Sequence, residues 1–150
     1  MPGISPKKSG NQFEELFYRA AIRSNIGIVR IADGCKRIGT FKRFRLIPVK
    51  QAADWIVSFN GKTAVLDTKT LGTGKTFPYA SINQDQVHAI RSLVLHGTIG
   101  GYVCFLRQID RLVFFDTDKL MSCHPGTSLA IADGKDLGSL ENPDLKKIFE

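Results

Sequence analysis

Two carboxylates and a lysine carry the chemistry open to this chain. Asp54 is followed, after twelve residues, by Asp67-Thr68-Lys69. Converging carboxylates suit a hard divalent cation. Mg²⁺ prefers oxygen ligands and usually takes one or two carboxylates, with water and substrate phosphate filling the rest of its shell. A lysine beside them meets the negative charge of a phosphate under attack. Residues 67 and 69 differ by two, so on a strand they share a face. An Asp and a Lys two apart are by themselves common as a solvated pair. Position distinguishes these: Asp54 adjoins one apolar segment, and Asp67 and Lys69 close the stronger one.

The elements that must position them follow from the surrounding pattern. Residues 54–59 and 63–69 both read as strands, with Asn60-Gly61 between them. Asn-Gly between two apolar runs is a strong hairpin signal, because both residues tolerate positive φ. Folding about that turn sets the start of one strand beside the end of the other, so Asp54 and Asp67 converge at one end of the sheet. Upstream, Phe13, Leu16, Phe17, Ala20 and Ala21 recur at helical steps and predict an amphipathic helix over 11–23, after a loose tail over residues 1–9. A strand is expected over 26–31 and another around 41–47, ending at Pro48. Residues 70–80 read as a loop. Val87, Ile90, Leu93 and Val94 form the stripe of a helix over 83–96, stopped by Gly97. Two short apolar strands, 102–106 and 112–115, are joined by the polar turn 107–111. A short helix near Lys119 and another after Pro143 complete the chain. The expected architecture is a single α/β domain over 10–150. Its mixed sheet is centred on the hairpin and flanked by the first helix and the 83–96 helix.

Composition agrees with one globular domain: 150 residues, 43% hydrophobic and 23% charged. No apolar run is long enough to span a membrane, and no secretory signal is expected at the N-terminus. Cys35, Cys104 and Cys123 form no CxxC pair and read as reduced thiols of a cytoplasmic protein. Cys123-His124 has no second pair at zinc-ligand spacing. The formal charge is +7, which suits a polyanionic partner. Lys36, Arg37, Lys42, Arg43, Arg45 and Lys50 fall in one stretch with no acidic residue, and Phe41 and Phe44 sit among them. Such a run is often only a solvated loop. Here it leads directly into Asp54, as a phosphate-holding surface beside a carboxylate cluster should. Gly72-Thr73-Gly74-Lys75-Thr76 imitates the end of a nucleotide-binding loop. The glycine that pattern needs is replaced by Lys69, and Phe77-Pro78 cannot open the helix that would hold the phosphate. Lys75 is instead expected on a loop beside the site, within reach of a nucleic-acid backbone.

Several of these residues recur together in one family. Gly10-x-x-Phe13-Glu14, then Asp54, Asp67-x-Lys69, Phe77-Pro78, Gln86 at a helix start and Gly101-Tyr102-Val103-Cys104-Phe105 resemble the Holliday junction resolvases of the RecU and Hjc type. These belong to the PD-(D/E)-x-K nuclease superfamily. The resemblance spans about residues 10–120 and rests on order and spacing. Ala53 stands where the superfamily often has proline, and the segment before Asp54 is shorter than the stalk of the RecU resolvases. The resemblance implies a restriction-endonuclease-like fold and a Mg²⁺-dependent endonuclease, with Mn²⁺ as a possible substitute. Its substrate would be a four-way DNA junction, cut by a homodimer. It implies that Asp54, Asp67 and the Thr68 carbonyl hold the metal, and that Glu14 supports a second metal or its water. Lys69 would stabilise the scissile phosphate, and Gln86 would hydrogen-bond the attacking water or the lysine. Glu15 lies about 100° round the helix from Glu14, so the two cannot face the site equally. The alternatives are another nuclease of the superfamily, of restriction or repair type, and a catalytically silent DNA-binding protein of the same fold.

Overall fold

The computed structural model describes residues 6–31, 34–39, 44–49 and 53–150, with side chains described for 12–31 and 53–150. Helix α1, Pro6–Arg23, begins earlier than residue 11, so residues 6–9 are helical rather than tail. Phe13, Phe17, Ala20 and Ala21 form its buried face. Asn25, at φ 58°, ends it. Ile26 N–H reaches back to the Ala21 carbonyl and Asn25 N–H to that of Ile22. That pair of bonds is the Schellman stop, with Asn in the left-handed position usually held by Gly and buried Ile26 as its apolar contact.

Strand β1, Gly27–Arg30, leads into a separate antiparallel ribbon of β2, Gly34–Gly39, and β3, Phe44–Val49. The basic segment therefore forms two paired strands, where one was expected around 41–47. Pro48 lacks a ladder donor, which a two-stranded ribbon tolerates because each strand has an open edge. Next come β4, Trp55–Phe59, and β5, Lys62–Leu71, closed by the two-residue turn Asn60-Gly61 at φ 52° and 79°. Both positive φ values match the mirror-image turn that suits the twist of a hairpin. The short β6, Phe77–Pro78, follows, so the residues after the Gly-Lys-Thr segment are extended.

Helix α2, Gln84–Val94, is capped by Asn83, whose side chain accepts from the Gln86 N–H at 3.1 Å. Gly97, at φ 96°, ends the turn beyond it. Strand β7, Ile99–Leu106, runs parallel to β5. It is joined to β8, Arg111–Asp116, which carries on into α3, Thr117–Ser122. Two-residue β9, Ser128–Leu129, pairs with β6, and β10, Lys135–Gly138, pairs with β8. A 3₁₀ turn over Leu145–Phe149 closes the chain.

The main sheet has the order β1-β4-β5-β7-β8-β10, and its neighbours are antiparallel except β5 and β7. One face packs under α1 and the C-terminal turn, through Phe17, Trp55, Leu66, Phe105 and Phe149. The other packs under α2 and α3, through Val87, Ile90, Tyr102, Phe115 and Leu120. Gly100 sets how closely α2 approaches the sheet, and Gly101 how closely β8 lies against β7. A Cβ on Gly100 would stand 2.4 Å from Ile90 Cγ2, and one on Gly101 2.0 Å from the Phe115 carbonyl oxygen. Leu93, expected on the buried stripe, is 45% exposed. Val94 closes over Gly100 instead, and the buried stripe starts at Gln86 and Val87. Among the described residues no helix is long and apolar enough to cross a membrane.

Candidate active site

Asp54 lies just before β4 and is held from both sides. Its carbonyl accepts from Ile31 N–H at 2.8 Å and its N–H donates to Leu66 at 3.0 Å. The register that pairs Trp55 with Leu66 brings it beside the segment starting at Asp67. Its Oδ2 accepts from the Thr68 backbone N–H at 2.9 Å and from Thr68 Oγ1 at 2.7 Å. The hairpin thus delivers the expected convergence, and Thr68 clamps Asp54 with two donors.

Asp67 is only 4% exposed, and the Lys69 ammonium stands 2.7 Å from its Oδ2. Burial pushes its carboxyl up from 3.8 to about 6. Lys69 opposes the rise, and the neighbouring Asp54 carboxylate adds to it. A buried carboxylate that one lysine does not fully compensate, beside a second carboxylate, forms an all-oxygen donor set suited to a hard divalent cation.

On β7, Tyr102 is the register partner of Asp67 and Cys104 that of Lys69. Tyr102 is fully buried. Its hydroxyl donates to Gln86 Oε1 at 2.5 Å and accepts from the Asn83 N–H at 3.2 Å. The Lys69 ammonium lies 5.1 Å from the centre of its ring. Burial drives the Tyr102 phenol well above its ordinary value, so it stays a neutral donor. Burial likewise keeps the Cys104 thiol protonated. Cys104 and Cys123 are free thiols, and the Cys35 side chain lies outside the described residues.

Glu14 turns to Arg30, at 2.7 Å, and the Arg30 guanidinium lies 5.0 Å over the Trp55 ring. Glu15 pairs with Arg19 on the solvent face. Their side chains are 25% and 63% exposed, so Glu14 is the one turned toward the sheet. The structure therefore gathers Asp54, Asp67, Thr68 and Lys69, with Gln86 joined through Tyr102. Glu14 is drawn instead to Arg30, at the end of β1. Among the described residues no three His, Cys, Asp or Glu side chains form a single metal-holding cluster.

Lys75 is exposed on the loop between β5 and β6, which Gln108 pins by accepting from the Gly74 N–H at 2.6 Å. The side chains of Lys36, Arg37 and Arg45, and the whole of Lys42, Arg43 and Lys50, lie outside the described residues. Sequence reasoning missed the Thr68 hydroxyl and Arg30, and it placed Tyr102 in a motif without a role. The signal for Tyr102 was its place in an apolar run, because a buried phenol has to find a hydrogen-bond partner.

No family model matches the chain, and no curated protein sequence does. Among solved structures it is similar to Hjc, a Holliday junction resolvase from the archaeal hyperthermophile Archaeoglobus fulgidus. The TM-score is 0.59 at 12% identity, over 88% of this chain and 97% of that one. Identity that low makes this a likeness of fold: the chain has the restriction-endonuclease-like architecture of that protein, one domain with a mixed sheet of six strands between helices.

Proposed function

We propose that this chain is a metal-dependent DNA endonuclease that resolves four-way junctions by paired phosphodiester cleavage. One observation carries the reading: a β-hairpin brings Asp54 and Asp67 together, with Lys69 on the same strand face, 2.7 Å from Asp67. A resolvase of similar fold supports the choice of substrate. Asp54 and Asp67, with the Thr68 carbonyl, would hold Mg²⁺, or Mn²⁺ in its place. The bound cation would lower the pKa of water and offset charge gathering on the phosphate.

The chain's own groups do the rest. Thr68 fixes the Asp54 carboxylate, so one donor is set before substrate arrives. Asp67 has to be ionised to bind a cation, and its raised pKa makes that state sensitive to pH below about 6. Lys69 offers a positive charge to the non-bridging oxygens of the scissile phosphate. Gln86 keeps its amide N–H groups without a partner among the described residues, free to donate to the attacking water. The resemblance to the resolvase family implies that the products would be a 5′-phosphate and a 3′-hydroxyl. Glu14 and Arg30 form the neighbouring charged pair, and Glu14 would orient water at the rim. The basic residues between Lys36 and Lys50, together with Lys75, would bind the arms of branched DNA. Paired cuts on opposed strands need two sites related by a twofold axis, hence a homodimer.

The deciding experiment compares a four-way junction with a linear duplex of the same sequence, in Mg²⁺, in Mn²⁺ and in EDTA. Symmetric metal-dependent cuts in the junction alone are expected. Equal cutting of both substrates would make the protein a nuclease without junction selectivity. Binding without cutting in either metal would make it a silent DNA-binding protein.

A further inference from the structure

Tyr102 touches both halves of the site without being a metal donor itself. Its place is fixed before any side chain is considered: β7 is parallel to β5, and the register sets residue 102 directly opposite Asp67. Gly101 beside it lets β8 close in, and Gly100 lets α2 come down onto the sheet, since a Cβ at either would collide. With α2 held so close, its first turn lies over Tyr102. The phenol reaches Gln86 Oε1 at 2.5 Å and the N–H of the cap residue Asn83 at 3.2 Å. Phe77 meets the ring edge-on at 6.1 Å. The opposite attraction is that of Lys69, whose ammonium stands over the aromatic face at 5.1 Å and beside Asp67 at 2.7 Å.

A lysine has a long, freely rotating stem, and a lone glutamine amide has two orientations of similar shape. The ring face gives the ammonium a second attraction in a largely desolvated place. The phenol O–H selects the glutamine orientation in which the oxygen is inward and the N–H groups are outward. We propose that Tyr102 is the positioning residue of this site: its ring holds the Lys69 ammonium in place and its hydroxyl holds the Gln86 amide with its donors free. Its kinetic consequences rest on the nuclease reading above; its structural ones do not.

The test uses the full chain and Tyr102→Phe, which keeps the ring and removes the hydroxyl. In the parent and in the variant, proton NMR should show the Lys69 ε-methylene shifted upfield by the ring. The Gln86 side-chain amide signals should move and broaden in the variant alone. With Mg²⁺ and a four-way junction, kcat should fall roughly tenfold to a hundredfold, as misplacing a reacting group does, while KM and gel-shift affinity stay at parent values. Tyr102→Phe combined with Gln86→Ala should cleave no more slowly than Gln86→Ala alone, because the hydroxyl acts through that amide. A purely structural role would add its effect to that of Gln86→Ala. Ordinary chemical shifts for the Lys69 ε-methylene would overturn the ring half of the proposal. Unmoved Gln86 amide signals, a parent-like kcat or an additive double variant would overturn the hydroxyl half. A parent that cuts no DNA would instead sink the nuclease reading, leaving the NMR comparison to decide the positioning role.

Discussion

Asp67→Asn separates what this carboxylate does to the fold from what it does for the chemistry. In the folded chain its carboxyl rises from 3.8 to about 6, mainly through burial. A raised acid pKa means that the folded state binds more protons than the unfolded one between those values. Stability therefore falls as pH rises through that window, and above it the penalty for ionising a buried carboxylate is fully present. A rise of about two pH units at about 1.4 kcal/mol each makes that penalty about 3 kcal/mol. Asparagine has nearly the same shape and no charge. At pH 8, with no metal, the variant should be more stable by up to about 3 kcal/mol, a gain in Tm of roughly 6 to 12 °C for a chain of this size. Near pH 4 the two proteins should melt together. The single tryptophan, Trp55, is buried and reports unfolding by fluorescence. Mg²⁺ should raise the Tm of the parent at pH 8 and leave the variant unmoved. On the nuclease reading cleavage should be abolished, with junction binding intact or tighter, because one negative charge that would face the phosphates is gone. A variant that melts with the parent at pH 8 would put Asp67 in a solvated setting and refute the electrostatic argument. Normal cleavage would remove it from the site.

Replacing Lys42, Arg43 and Arg45 together with Ser should weaken junction binding. The slope of log affinity against log salt should drop by about 0.9 for each phosphate left without its cation, and a slope equal to the parent's would move the DNA-binding surface elsewhere. In sedimentation the protein should run at about twice its 16.6 kDa chain mass, and an active monomer would contradict the paired-cut reading. Gly101→Ala should destabilise the domain by about 3 kcal/mol or more in urea melts, because its Cβ meets the rigid Phe115 backbone at 2.0 Å.

What could be read beforehand was local. Asn60-Gly61 announces its turn in two letters, and the turn alone determines that Asp54 meets Asp67-Thr68-Lys69. The Val87–Ile90 spacing and the Gly97 stop likewise define α2 from nearest neighbours on a helix. What could not be read depends on partners distant in sequence. Whether Glu14 or Glu15 turns inward depends on where Arg30 ends β1. Gln86 could be singled out from the motif, but its partner Tyr102 arrives only through the parallel register. Leu93 fits the stripe as well as Val94 does, and the difference is made by Gly100 on another strand. Of the ribbon, a strand near β3 was legible, although it runs on through Pro48 to Val49, whereas β2 hid because Gly34–Gly39 shows no clean apolar alternation.

β5 pairs antiparallel with one neighbour and parallel with the other, and this gives the site two assembly times. The β4–β5 pairing closes over a two-residue turn, with almost no loop entropy to overcome, on the microsecond scale of hairpins. The β5–β7 pairing has to wait for the whole crossover through α2, a far longer loop. The carboxylates and Lys69 should thus meet early in folding, whereas Tyr102 and Gln86 should arrive late. Substitutions at Asn60 or Val57 should slow refolding, while substitutions at Ile90 or Val87 should mainly speed unfolding. The reverse pattern in stopped-flow would mean that the crossover forms first. A chain that assembles in this order brings its two carboxylates together before Tyr102 and Gln86 are in place, so on the nuclease reading an incompletely folded population should bind cations before it can cut.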